Sequence, residues 1–233
     1  MTGGSPVTPT PDSEPSTRLV IVEDHELLAT SLVLALRQRG LEAQTVDGPT
    51  ADAIVETVRG LAPILVLLDL DLGPALGSGL DLIRPLIEAG GRVVMITAMV
   101  DRVPLAACIE AGAIGIVSKT AGFAELVDSI RRAVDGEELM TTSQRKDLLR
   151  ELDARRQADR VRLAPFANLT PREQAVLARL VAGELAESIA AHSYLSVGTI
   201  RSQIKSILRK LGVSSQLAAV ALARNANWPQ PSH

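Results

Sequence analysis

Five short apolar runs punctuate the first half of the chain: Leu19–Val22, Ala43–Val46, Ile64–Leu68, Val93–Ile96 and Ile114–Val117. Segments with helical spacing of apolar positions separate or follow them: Glu26–Arg39, Ala51–Arg59, Leu80–Glu88, Val103–Ala111 and Phe123–Val134. Strands that alternate with helices predict βαβ units and a parallel sheet. The runs are almost unbroken Val, Ile and Leu, as strands covered on both faces require. Residues 18–137 are therefore expected to form a doubly wound, five-stranded α/β domain.

After Gly136 the pattern changes. Residues 138–165 are rich in Arg, Asp, Glu and Gln, with Leu148, Leu149 and Leu152 at helical spacing. They predict a helical linker that packs in part on its neighbours. From Leu169 the chain reads as helical throughout. Thr170, Pro171 and Glu173 form a capping box with proline at the first helical position. A short helix follows Gly183. Ser196 caps a longer one, Val197–Leu211, which Gly212 ends. A last helix starts near Ser214 or Ser215. Residues 166–227 are thus expected to be an all-α, four-helix domain, which the resemblance given below makes a helix-turn-helix domain, and 228–233 a tail. Residues 1–17 hold four prolines among Ser, Thr and Gly, a composition that predicts a disordered tail.

Composition narrows the class. Hydrophobic residues make up 46% of the chain and aromatics only 2%, so the core must be aliphatic. A single cysteine, Cys108, excludes a disulfide framework and suggests a reducing, cytoplasmic setting. No apolar run is long enough for a membrane span, and the N-terminus lacks the features of a secretory signal. The net charge of −3 conceals an asymmetry. Residues 18–137 carry 10 basic and 17 acidic side chains, whereas residues 168–233 carry 7 and 3. An acidic half suits a cation and a basic half suits a polyanion, although solvation alone also accounts for either.

In an open α/β sheet the ligand site lies beyond the carboxyl ends of the strands. Glu23 and Asp24 end the first strand, Asp69 the third, Thr97 the fourth, and Ser118 and Lys119 the fifth. With the strands ordered 2-1-3-4-5, three carboxylates, a hydroxyl and an ammonium converge on one crevice. Clustered carboxylates repel unless a cation sits among them, and Mg²⁺ suits oxygen ligands with water and phosphate. An aspartate can attack a phosphoryl group to give an aspartyl phosphate. Lys119 and Thr97 supply charge and a hydrogen bond to that group. His25 is read as an exposed first-turn residue, Asp24 as a contributor to the cap of the first helix, and Cys108 as a buried small apolar residue.

Val22-Glu23-Asp24-His25, Leu67-Leu68-Asp69-Leu70, Val94-Met95-Ile96-Thr97-Ala98 and Ala111-Gly112-Ala113 with Val117-Ser118-Lys119 resemble the motif set of receiver domains of two-component response regulators. The resemblance implies a flavodoxin-like fold. It makes Asp69 the phosphoacceptor for a histidine kinase, and assigns Mg²⁺ to Glu23, Asp24, Asp69 and the backbone carbonyl of Asp71. Thr97 becomes the switch hydroxyl and Lys119 the phosphate-pairing lysine. Two positions depart from the pattern. Ile116 stands where an aromatic is usual, and the loop Asp71–Gly79 is about two residues longer than usual.

Leu169-Thr170-Pro171-Arg172-Glu173, Val176-Leu177, Ile189-Ala190, Leu195-Ser196, Thr199-Ile200-Arg201 and Lys210-Leu211-Gly212-Val213 resemble the LuxR-type DNA-binding domain. The resemblance implies that Val197–Leu211 is the recognition helix and lies in the major groove of double-stranded DNA. Ile200, Ile204, Ile207, Leu208 and Leu211 should face the core, and Arg201, Ser202 and Lys205 the bases, with Thr199 and Gln203 on phosphate. Arg209 and Lys210 are read either as part of this surface or as solubilising charges. Glu187 stands where a phosphate-facing lysine is common, and Ser193 replaces a usual leucine. The last helix packs within the domain, or joins two copies as the resemblance implies; a homodimer on paired half-sites is the expected active form.

The combined reading is a phosphorylation-controlled transcriptional regulator, not an enzyme beyond self-phosphorylation and slow self-dephosphorylation. An alternative of the same architecture, controlled by dimerisation or a ligand, is kept open by Ile116. A remote alternative rests on Asp69-Leu70-Asp71, which resembles the nucleophile motif of haloacid-dehalogenase-like phosphatases. That family places its motif on the first strand with the acidic pair later, the reverse of the order here.

Overall fold

The computed structural model describes residues 18–229. The expected tail at 1–17 and residues 230–233 lie outside the described residues. The described residues divide into two compact units, with the boundary between Leu152 and Asp153. The division falls inside the segment expected to be the linker.

The first unit is built on five parallel strands in the order β2-β1-β3-β4-β5. They are β1 (Arg18–Val22), β2 (Glu42–Thr45), β3 (Leu65–Asp69), β4 (Arg92–Thr97) and β5 (Gly115–Ser118). Around them lie α1 (Glu26–Gln38), α2 (Ala51–Leu61), a one-turn α3 (Gly73–Leu76), α4 (Leu80–Glu88), α5 (Arg102–Ala111) and α6 (Phe123–Val134). Alternate residues of each strand feed opposite faces, as the pleat dictates. Val20, Val22, Val66, Leu68, Val93 and Met95 pack under α2, α4 and α5. Leu19, Ile21, Leu65, Leu67, Val94 and Ile96 pack under α1 and α6. Cys108 is buried in the first of these layers, where desolvation pushes its thiol up to about 11. It is a packing residue, as expected.

A long helix, α7 (Thr142–Leu163), begins in this unit. Leu148 and Leu152 are buried in the layer under α2, α4 and α5. Arg145 donates to the carbonyls of Ala113 (3.4 Å) and Ile114 (3.1 Å). Glu151 accepts from Arg102 at 2.6 Å. A methyl group on Gly115 would lie 2.7 Å from Leu139 Cβ, so the chain leading into α7 presses directly on β5.

The second unit contains α8 (Pro171–Val181), α9 (Ala186–His192), α10 (Val197–Leu211) and α11 (Gln216–Asn225), preceded by a 3-10 turn at Ala164–Asn168. Its caps follow from the sequence. The Thr170–Glu173 capping box is complete, Ser196 caps α10, and Ser215 caps α11. Gly212 closes α10 in the left-handed region, φ 68°, where a residue without Cβ is least strained. Ile200, Ile204, Ile207 and Leu211 are buried with Leu177, Leu180 and Ile189, and Leu208 is half-buried. Trp228, expected in the tail, instead stacks on Phe166 with ring centroids 5.1 Å apart.

Candidate phosphoacceptor site and nucleic-acid interface

β1 and β3 end side by side, and β4 and β5 continue the row. The residues that follow each apolar run therefore meet at one edge. Lys119 Nζ lies 2.7 Å from Glu23 Oε2 and 2.5 Å from Asp69 Oδ2. The Glu23 side chain is wholly buried and the Asp69 side chain nearly so. Two buried carboxylates thus share one ammonium. Burial raises the Asp69 carboxyl above its ordinary range and the negative Glu23 adds to this, while the Lys119 hydrogen bond and the Asp71 backbone N–H oppose it. Thr97 is buried, and its Oγ1 accepts from the N–H of Met99 at 3.0 Å. The hydroxyl is thereby tied to the loop that follows β4.

Asp24 is exposed and does not cap α1. The N-cap is His25, without a side-chain cap. The His25 ring, expected to be a bystander, has Nδ1 2.8 Å from Asp24 Oδ1 and 3.0 Å from Glu23 Oε1. The two acids raise its pKa, the Glu23 hydrogen bond most. Ligand atoms of Glu23, Asp24, His25 and Asp69 all lie within 4.8 Å of one another. Glu23 Oε2, although ion-paired, makes no directional hydrogen bond. A buried carboxylate oxygen with unused acceptor capacity, among two further carboxylates, is the donor set of a hard divalent cation.

The loop Asp71–Gly79 is an ordered knob. Asp71 and Ser78 form an antiparallel bridge, Leu72 N–H donates to Gly77 O, and Gly79 N–H donates to Leu70 O. The Asp71 carboxylate accepts from Gly73 N–H at 3.1 Å, so its side chain serves the loop. A Cβ on Gly79 would sit 1.9 Å from the Asp69 carbonyl oxygen. Only glycine lets the loop return against the backbone of Asp69. The crevice opens into a cleft of about 530 Å³ lined by His25, Leu27, Asp69, Thr97, Met99 and Lys119. A larger one, about 720 Å³, lies at the amino ends of β1 and β2 and gathers no set of carboxylates.

In the second unit, Thr199, Arg201, Ser202 and Lys205 are exposed on α10, and Gln203 is half-buried. Arg201 Nη2 donates to Glu187 Oε1 of α9 at 2.9 Å. Thr199 Oγ1 is 2.8 Å from Ser196 Oγ, so it also serves the helix start. Lys210 is no free solubilising charge: Nζ reaches Glu173 Oε2 at 2.6 Å, while Arg209 is exposed. The same carboxylate accepts from Thr170 N–H (2.8 Å) and Ser206 Oγ (2.8 Å). Glu173 therefore closes the capping box of α8 and grips α10 at two positions one turn apart. These contacts hold the Glu173 carboxyl at about 2, the Lys210 hydrogen bond contributing most. The capping box was legible in the sequence; its grip on α10 was not.

Comparison with known proteins agrees with this division. Residues 19–131 match the model of the response regulator receiver domain, and residues 167–223 that of the luxR family of bacterial regulatory proteins. The chain is 28% identical over 207 residues to the probable transcriptional regulatory protein NarL of Mycobacterium tuberculosis, covering 88% of this chain and 93% of that protein. It is 26% identical over 215 residues to the transcriptional regulatory protein YvfU of Bacillus subtilis, covering 91% and 98%. It is 28% identical over 207 residues to the nitrate/nitrite response regulator homologue of Haemophilus influenzae, covering 88% and 95%. Among solved structures, RcsB of Salmonella enterica serovar Typhimurium bound to promoter DNA is 23% identical with a TM-score of 0.48, over 89% of this chain and 97% of that one. With a receiver domain in its first unit and a luxR-family domain in its second, the chain belongs to the LuxR-type response regulators.

Proposed function

We propose that the protein is a transcription factor switched by phosphorylation of Asp69, with a histidine kinase as donor. The observation that carries this reading is the Lys119 ammonium shared between buried Asp69 and Glu23, with Thr97 on the adjoining strand. An Asp69 oxygen attacks phosphorus, the bond from phosphorus to the donor nitrogen breaks, and an acyl phosphate forms with the imidazole as leaving group. Lys119 then exchanges its carboxylate partner for a phosphoryl oxygen, and the Thr97 hydroxyl turns from the Met99 N–H toward another. Glu23, Asp24, Asp69 and the Asp71 carbonyl would hold Mg²⁺, which would supply charge neutralisation for the transferring group. Exposed Leu27 and Met99 at the rim of the cleft offer the kinase an apolar contact.

The output is DNA binding by α10, with Arg201, Ser202 and Lys205 on base edges and Thr199 and Gln203 on phosphate. The active species is a homodimer. Slow self-dephosphorylation resets the switch. Among the described residues no helix is long and apolar enough to cross a membrane, in keeping with a regulator that works in the cytoplasm.

Incubation with acetyl phosphate, with and without Mg²⁺, tests the chemistry by intact mass. The wild type gains one phosphoryl group only with Mg²⁺, and Asp69→Asn gains none, because an amide is not a nucleophile. A full adduct on Asp69→Asn overturns the assignment.

A further inference from the structure

Residues 168–233 contain three acidic side chains, Glu173, Glu184 and Glu187. Glu173 is buried and bound to Lys210. Glu184 faces Arg179 and His192. Glu187 alone stands on the face from which α10 projects Arg201. Its Oε1 accepts from Arg201 Nη2, with the two side chains 58% and 69% exposed. Its own backbone N–H and then the Arg201 hydrogen bond lower the Glu187 carboxyl below its ordinary value.

We infer that Glu187 is a specificity-determining residue of the DNA-reading surface: it holds Arg201 by one nitrogen and makes backbone-only binding unfavourable. This rests on the DNA-binding role proposed above. An exposed pair is weak, so Arg201 is detachable. The two ways it can engage a duplex differ. A guanidinium kept at Nη2 by Glu187 still has donors for the O6 and N7 acceptors of guanine, which lie in one plane. A move to phosphate strips the guanidinium from Glu187 and leaves a bare carboxylate facing a polyanion. The penalty falls on the non-specific register, and discrimination rises at the expense of total affinity.

The test uses the full chain activated with beryllofluoride. A preferred site is first selected from a pool of randomised duplexes. Affinities for that duplex and for a scrambled one of equal composition are then measured by fluorescence anisotropy between about 50 and 200 mM salt. Glu187→Gln tightens binding to the scrambled duplex about three- to tenfold and changes the selected one less, so the specificity ratio falls about threefold or more. In an Arg201→Ala background the same substitution leaves the ratio unchanged. A ratio that is unchanged or higher in Glu187→Gln alone overturns the inference. A wild type that enriches no sequence overturns the DNA-binding role itself, a distinct result.

Discussion

Asp69 and Glu173 are both buried against a lysine, and their surroundings make them behave oppositely. At Asp69, burial and the neighbouring Glu23 outweigh Lys119 and the carboxyl is raised. At Glu173, Lys210, Ser206 and Thr170 together outweigh desolvation, and the carboxyl falls to about 2 from 4.5. A depressed folded-state value means the ionised form favours folding. The contribution of Glu173 is fully present above about pH 4.5 and is lost as the pH falls toward about 2. Glu173→Gln should therefore destabilise the second unit by about 1.5–3 kcal/mol near neutrality, the range for hydrogen bonds to charged groups. Thermal melts of the full chain check this: the gap between variant and wild type narrows between pH 7 and pH 3. A gap that stays constant contradicts the ionic role. Asp69, Glu23 and Thr97 were legible because each directly follows an apolar run, and Lys119 because it lies one residue beyond another. The contacts of His25 and Lys210 were not, since their partners lie on other elements or depend on rotamers that periodicity does not encode.

Strands and helices emerged in the expected order, with strand limits displaced by about one residue. The displacement has a cause: Asp69, Thr97 and Ser118 are polar and end the apolar runs, yet their backbones still pair in the sheet. The docking of α7 was only half visible. Leu148 and Leu152 showed an apolar stripe, but nothing in the pattern showed that Arg145 would bond the carbonyls beside β5. The loop after Asp69 read only as about two residues longer than usual; its fold back on Asp69 through Gly79 was not visible. Gly79→Ala should cost about 1–3 kcal/mol, as overpacking does, and should slow phosphate incorporation because the displaced atom is the acceptor residue's own carbonyl. Labelling with acetyl phosphate and a denaturant titration read both effects. Wild-type stability and labelling in this variant would show the close approach to be inconsequential.

Ile116 on β5 is half-buried, packed with the layer that also holds Leu148 and Leu152. It has no ring or hydroxyl to exchange between core and solvent, so the switch proposed above would run through Thr97, Lys119 and the Met99 loop. Ile116→Tyr should alter coupling while leaving labelling intact. Sedimentation with and without beryllofluoride measures this: the wild type is partly dimeric without the mimic, and the variant shifts that balance. A wild type strictly monomeric without the mimic and fully dimeric with it contradicts the expectation.

The molecule joins an acidic unit to a more basic one, and the charge contrast matches their proposed partners, a divalent cation and a nucleic acid. Coupling between them is a free energy, typically a factor of about 5–150 in affinity for allosteric proteins. It must appear as a difference in DNA affinity between phosphorylated and unphosphorylated protein. The uneven distribution of charge, apolar patterning and caps made the two units legible in the sequence. The size of the coupling is not written there, because it depends on the energy gap between two whole arrangements rather than on any residue type. The most direct measurement is a DNA titration of the full chain with its selected duplex, with and without beryllofluoride and Mg²⁺, in the wild type and in Asp69→Asn. The account predicts that the mimic tightens wild-type binding by at least about fivefold and leaves Asp69→Asn unaffected. Equal wild-type affinity in the two conditions, or an undiminished response in Asp69→Asn, contradicts it.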